Sequence, residues 1–126
     1  MPRQSFVPNP KTKPRGYSAV VKAGNTVFVS GQVAFDANGD LVGEGDFAAQ
    51  AAQTFDNVEA ALRAAGATTE DMTKITTFLV NVADYPAYAA ERLKRFPENG
   101  PASSTVVVKA LVFPELLIEI EAVAVV

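Results

Sequence analysis

Glu119 and Glu121 sit one pleat apart on the last β-like stretch of the chain, Leu117 to Val126, and so share one face of it. Two carboxylates this close repel each other when both are ionised. That pushes one pKa up and makes the group a candidate general base or acid. The same pair also reads as solvated or paired edge charge. A second candidate is Ser30-Gly31. A glycine inside a strand marks a bulge or a close approach, and backbone amides beside it can bind an oxyanion or a carboxylate. Tyr17 follows Arg15-Gly16. It offers a hydroxyl to a cleft or a ring to cover a sheet edge, and Arg15 offers a cation beside it or a solvated loop charge. The third candidate is Asn99-Gly100-Pro101-Ala102-Ser103-Ser104-Thr105-Val106-Val107-Val108. A turn signal there runs straight into a β-branched strand and gathers small hydroxyls where loop becomes strand.

The composition excludes much other chemistry. The 126 residues include no cysteine and no histidine. Disulfides, zinc–thiolate sites, a thiol nucleophile and every histidine-based triad are therefore absent. A metal site made only of carboxylates stays open, although no D-x-D or E-x-x-E ligand cluster occurs. The 11 basic residues are scattered among 14 acidic ones, for a net charge of −3. No basic stripe forms, and nucleic acid is an unlikely partner. No run of 18 apolar residues suggests a membrane span. Residues 1–14 carry basic residues but no apolar segment, unlike a signal peptide, so a cytoplasmic location is expected.

The elements that must position these residues follow from periodicity. Residues 1–14, with Pro2, Pro8, Pro10 and Pro14, read as an extended arm. Tyr17 to Ala23 and Thr26 to Val33 are β-like and flank Gly24-Asn25, which predicts a hairpin. In the second of these strands Val27, Val29, Gly31 and Val33 alternate onto one face, and Phe28, Ser30 and Gln32 onto the other. From Phe47 the period becomes helical. Phe47, Ala51, Phe55, Val58, Leu62 and Ala65 form one stripe between an Asp46 N-cap and a Gly66 stop. Thr73 to Val82 is a strand with two apolar or threonine faces. Asp84 caps a second helix whose inner face is Tyr85, Tyr88, Ala89, Leu93 and Phe96, with Tyr85 and Tyr88 read as core and rim. Ser103 to Lys109 and Leu117 to Val126 complete a single α+β domain over 1–126, in the order β-β-α-β-α-β-β.

Each helix has one apolar stripe, so both cover one face of a mixed sheet. The other face stays apolar and predicts self-association.

Tyr17-Ser18, Val29-Ser30-Gly31-Gln32-Val33, Gln53 through Gly66, Lys74 to Leu79, Pro101-Ala102-x-Ser104-Thr105-Val106 and Ile118 to Val125 occur in an order and spacing similar to those of the RidA/YjgF family. The resemblance covers nearly the whole chain. It implies a chorismate-mutase-like fold and a barrel-forming homotrimer with small-molecule clefts between subunits. It also implies cofactor-free hydrolysis of reactive imines and enamines. By that resemblance Glu119 places or activates water, and Tyr17, Ser30 and Gly31 line the cleft. Where the family pattern carries a carboxylate-pairing arginine, this chain has Ser103, and Ala89 stands where an asparagine is common. Ser103 then becomes a neutral anchor, Arg15 a substitute cation, and the usual 2-imino-acid specificity is not assured. Three readings follow: a RidA-like deaminase or related hydrolase, a non-catalytic trimer that binds small ligands, and, more weakly, a ribonuclease or translation inhibitor.

Overall fold

The computed structural model describes residues 3–126. Six strands form one mixed sheet: β1 (Gln4–Phe6), β2 (Val20–Ala23), β3 (Thr26–Gln32), β4 (Met72–Leu79), β5 (Ala102–Val107) and β6 (Ile118–Val125). Their spatial order is β1-β2-β3-β6-β4-β5. All neighbours are antiparallel except β4 and β5. Two helices, α1 (Phe47–Ala64) and α2 (Tyr85–Arg95), supply the crossovers that parallel strands require. One links β3 to β4 across β6, and the other links β4 to β5. Crossovers of one hand place both helices on the same face, as their single stripes require.

The core lies between that face and the helices. Val27, Val29, Ile75, Leu79, Ile118 and Ile120 pack against Phe55, Val58, Leu62 and Tyr88, all buried. The expected α1 stripe is buried from Phe47 to Ala65. The Asp46 side chain accepts from the Ala49 amide at 3.1 Å, and Gly66 adopts φ +80 just past the helix end. On the opposite face Phe28, Val106 and Val125 remain 45–48% exposed.

Several expectations need correction. The arm is not merely extended: Gln4–Phe6 pairs with β2, and Pro10–Thr12 forms a 3-10 turn capped by Asn9. (Residues 1 and 2 of the arm lie outside the described residues.) The β4 strand stops at Leu79. Val82 lies in a 3-10 turn capped by Asn81 and is 70% exposed. Asp84 is the last residue of that turn and makes no side-chain cap to α2. On α2 only Tyr88 is fully buried, and Leu93 faces out at 64% exposure. The inward positions beside Tyr88 are taken by Glu91 and Arg95. The Arg95 guanidinium bonds Glu91, Asp56, Glu59 and the Ala52 carbonyl, and lies 5.4 Å from the Phe55 ring centroid. An ion-paired clasp between helices thus replaces part of the expected apolar contact.

Candidate functional site

The site is built around a break in the β3–β6 ladder. Val29 opposes Ala122, but Gln32 opposes Ile120, so Ser30 and Gly31 together face Glu121. This is a β-bulge, with one extra residue on β3. It overturns the simple alternation: Gln32 moves to the helix-covered face, and Gly31 turns toward the carboxylates. A Cβ at Gly31 would collide with Oε2 of Glu119. The glycine leaves open the space that the Glu119 carboxylate occupies, and a side chain there would have to displace that carboxylate.

Glu119 lies on the helix-free face, opposite Phe78 of β4. Partial burial pushes its carboxyl above the usual carboxylate range, and the Glu121 charge adds to the effect. The paired-carboxylate expectation therefore holds, with burial the larger cause. Ser30 is already engaged, since its hydroxyl donates to the Ser18 carbonyl at 2.6 Å. It fixes the loop that leads from Tyr17 into β2. Tyr17 is 65% exposed and lines, with Gly31, an open cavity of about 820 Å³ between the arm, the end of β3 and α1. Within that cavity's wall Asn57 donates to the Val33 and Phe35 carbonyls at 2.7 and 2.8 Å, holding the chain beyond the bulge. Glu119 does not line this cavity. Arg15 is exposed and forms no ion pair among the described residues.

Ser103 stands apart from this group. It opposes Ile75 in β5, whereas Glu119 opposes Phe78, so the two residues lie on opposite faces of β4's neighbours. The Ser103 hydroxyl accepts from Arg92 of α2 at 3.4 Å. Arg92 also donates to the Tyr85 hydroxyl at 3.1 Å and lies 5.1 Å from the Tyr88 ring centroid. Arg92 is not among the candidates that the sequence suggests. Its signal was the spacing of Tyr85, Tyr88 and Arg92, which stacks all three on one helix face. Within one chain, then, Gly31 adjoins Glu119, Tyr17 and Gly31 line a cavity that Glu119 does not enter, Ser103 belongs to a second cluster and Arg15 to neither.

The family described as Endoribonuclease L-PSP matches residues 10–126. The 3-aminoacrylate deaminase RutC of Acinetobacter baylyi is 39% identical over 125 residues, covering 98% of each chain. The chain belongs to the RidA/YjgF family. Another relative in the family, the 2-iminobutanoate/2-iminopropanoate deaminase of Dermatophagoides farinae, is 36% identical over 95 residues, 75% of this chain and 74% of that one. Among solved structures, RidA from an Antarctic Psychrobacter superposes with a TM-score of 0.88 at 32% identity, covering 98% of this chain and 99% of that one. The α+β fold is thus the RidA/YjgF fold, and the arm that adds β1 is part of it in this member.

Proposed function

We propose that this protein is a cofactor-free hydrolase that deaminates small imines, enamines or related nitrogen compounds, working as a cytoplasmic homotrimer with its clefts between subunits. One observation carries the reading: a single carboxylate, Glu119, half-buried over a bulge glycine, with its pKa raised by burial and by Glu121. A carboxylate more basic than usual takes a proton from water more readily near neutral pH. Glu119 accepts that proton as the water oxygen bonds to the imine carbon. It returns that proton to nitrogen to give a carbinolamine, then carries the new hydroxyl's proton to the same nitrogen, so that the C–N bond breaks, the C=O bond forms, and ammonia and a carbonyl compound leave. Two relatives named as deaminases of 3-aminoacrylate and of 2-iminobutanoate/2-iminopropanoate support this class of reaction.

Ser103 favours a second reading, a trimer that binds small metabolites without turning them over, because a hydroxyl cannot replace a bidentate guanidinium. The ribonuclease reading has the printed description of the matched family, Endoribonuclease L-PSP, behind it, but a net charge of −3 and the lack of histidine weigh against it. The deciding experiment follows the loss of freshly generated 2-iminopropanoate against the buffer rate. Wild type is expected to accelerate it, and Glu119→Gln to lose about 10²-fold or more of that acceleration. No acceleration by wild type would leave the binding reading.

A further inference from the structure

We propose that Arg92, with the hydroxyls of Ser103 and Tyr85, forms a seat for a small carboxylate at the start of β5. Among the described residues the ion pairs belong to Arg95 and Lys94, and Arg92 has none. Its partners are neutral: Ser103 Oγ at 3.4 Å, Tyr85 OH at 3.1 Å, and the rings of Tyr88 and Tyr85, with centroids 5.1 and 5.8 Å from its Cζ.

This shelf is rigid. Tyr88 is fully buried, shares a 2.6 Å hydrogen bond with Thr77, and stacks on Phe55 at 6.1 Å with 6° between the rings. A guanidinium laid on such a surface loses little further freedom when an anion docks. One donor from each terminal nitrogen goes to a hydroxyl. That leaves an N–H on each, and the Nε–H, for a ligand. Both hydroxyls accept from Arg92, so each keeps its own proton to donate. The cluster therefore offers donors and no competing carboxylate, which selects an acceptor-only group. Ser103 is exposed and Tyr85 is 40% exposed, so the seat is open. Lys74, the other cation at this edge, differs. It lies on the opposite face and its ammonium is held by Ser104 Oγ at 2.8 Å.

Anion binding by Arg92 stands independently of any reaction. Its extension rests on the proposed function: the seat narrows the substrate to imines or enamines that carry a carboxylate. Because Ser103 and Glu119 lie on opposite faces of the sheet, a small ligand touching both Arg92 and Glu119 must join two copies of the chain.

The test is calorimetric titration of the full-length protein with pyruvate, and with pyruvamide as its neutral counterpart. Pyruvate should bind more tightly than pyruvamide. Arg92→Gln should weaken pyruvate at least about tenfold without changing pyruvamide, and Arg92→Lys should fall between. Tyr85→Phe, which keeps the guanidinium, should weaken pyruvate less than Arg92→Gln and guards against a folding defect in the first variant. Equal affinity for pyruvate in wild type and Arg92→Gln, no preference for pyruvate over pyruvamide, or a loss confined to Arg15→Gln would each overturn the seat. The two readings fail separately. Arg92-dependent pyruvate binding without turnover of 2-iminopropanoate keeps the seat and removes the hydrolase. Turnover with an unchanged KM in Arg92→Gln removes the seat and keeps the hydrolase.

Discussion

At the scale of single residues, Glu119 holds a charge where the surroundings disfavour one. Burial and the Glu121 carboxylate both raise its pKa above the ordinary carboxylate range. The folded state therefore binds a proton that the unfolded chain releases at lower pH. The stability tied to that proton is fully present below the unfolded pKa and is lost as pH rises through the folded one. Glu119→Gln imitates the protonated form and escapes the loss. Melting curves at one protein concentration, taken from acid to neutral pH, should show the variant gaining on wild type as pH rises, with the two converging in acid. Parallel curves would mean that Glu119 titrates normally and would weaken its case as a base. A variant that is both more stable at neutral pH and inactive is the signature of a functional carboxylate kept at a cost to stability. That Glu119 and Glu121 share one face was legible from alternation, while the role given to Glu119 comes from the family resemblance. That Gly31 faces Glu119 was not, since strict alternation cannot see the extra residue of the bulge.

At the scale of elements, the position of Glu119 depends on where β6 begins, and a buried glutamine sets that point. Gln50 of α1 is fully buried. Its amide donates to the Gly43 carbonyl at 3.1 Å and the Glu115 carbonyl at 2.9 Å, and its oxygen accepts from the Leu117 amide at 2.9 Å. One side chain thus ties the loop before α1 and the entry to β6 to the middle of the fold. Gln50→Leu keeps the volume but strands three backbone groups, which should cost ~2–4 kcal/mol, read as a lower urea midpoint. If the midpoint hardly moved, water would be replacing the glutamine and the β6 entry would not need it. The sequence showed α1 because a stripe, an aspartate cap and a glycine stop agreed on it. It did not show Gln50's role, because a polar residue beside an apolar stripe looks solvated until the partner loops are in place. The second helix was misjudged for a related reason. Leu93 fits the apolar period but points outward, since Arg95 and Glu91 satisfy each other and Asp56 on the inner side. The three-residue β1 was hidden among prolines, and its strand character comes only from pairing with β2. Arg92 escaped notice because its meaning depends on how α2 lies against β5.

At the scale of the molecule, the two helices leave one sheet face uncovered, and the proposed chemistry lies on it. Register places Val21, Phe28, Phe78, Val106, Val123 and Val125 on the same side as Glu119 and Glu121. Phe28 is 48% exposed and Val125 47%. An apolar sheet face of this kind is stable in water only when covered, and a closed ring of identical chains covers it without leaving an edge. Such a ring would further desolvate Glu119 and bring its face toward the β5 edge of a neighbour. Three chains of 13.3 kDa would give a particle of about 40 kDa by light scattering. Phe28→Asp, which puts a charge into that face beside the β6 valines, should shift the mass toward a single chain. The same variant should lose turnover of 2-iminopropanoate although it leaves Glu119, Gly31 and Arg92 untouched. Dilution of wild type should lower specific activity in step with the fall in mass. A monomeric Phe28→Asp variant with full activity would show that one chain holds a complete site and that Glu119 works without a neighbour. Loss of assembly and activity together would make the uncovered face part of the catalytic apparatus.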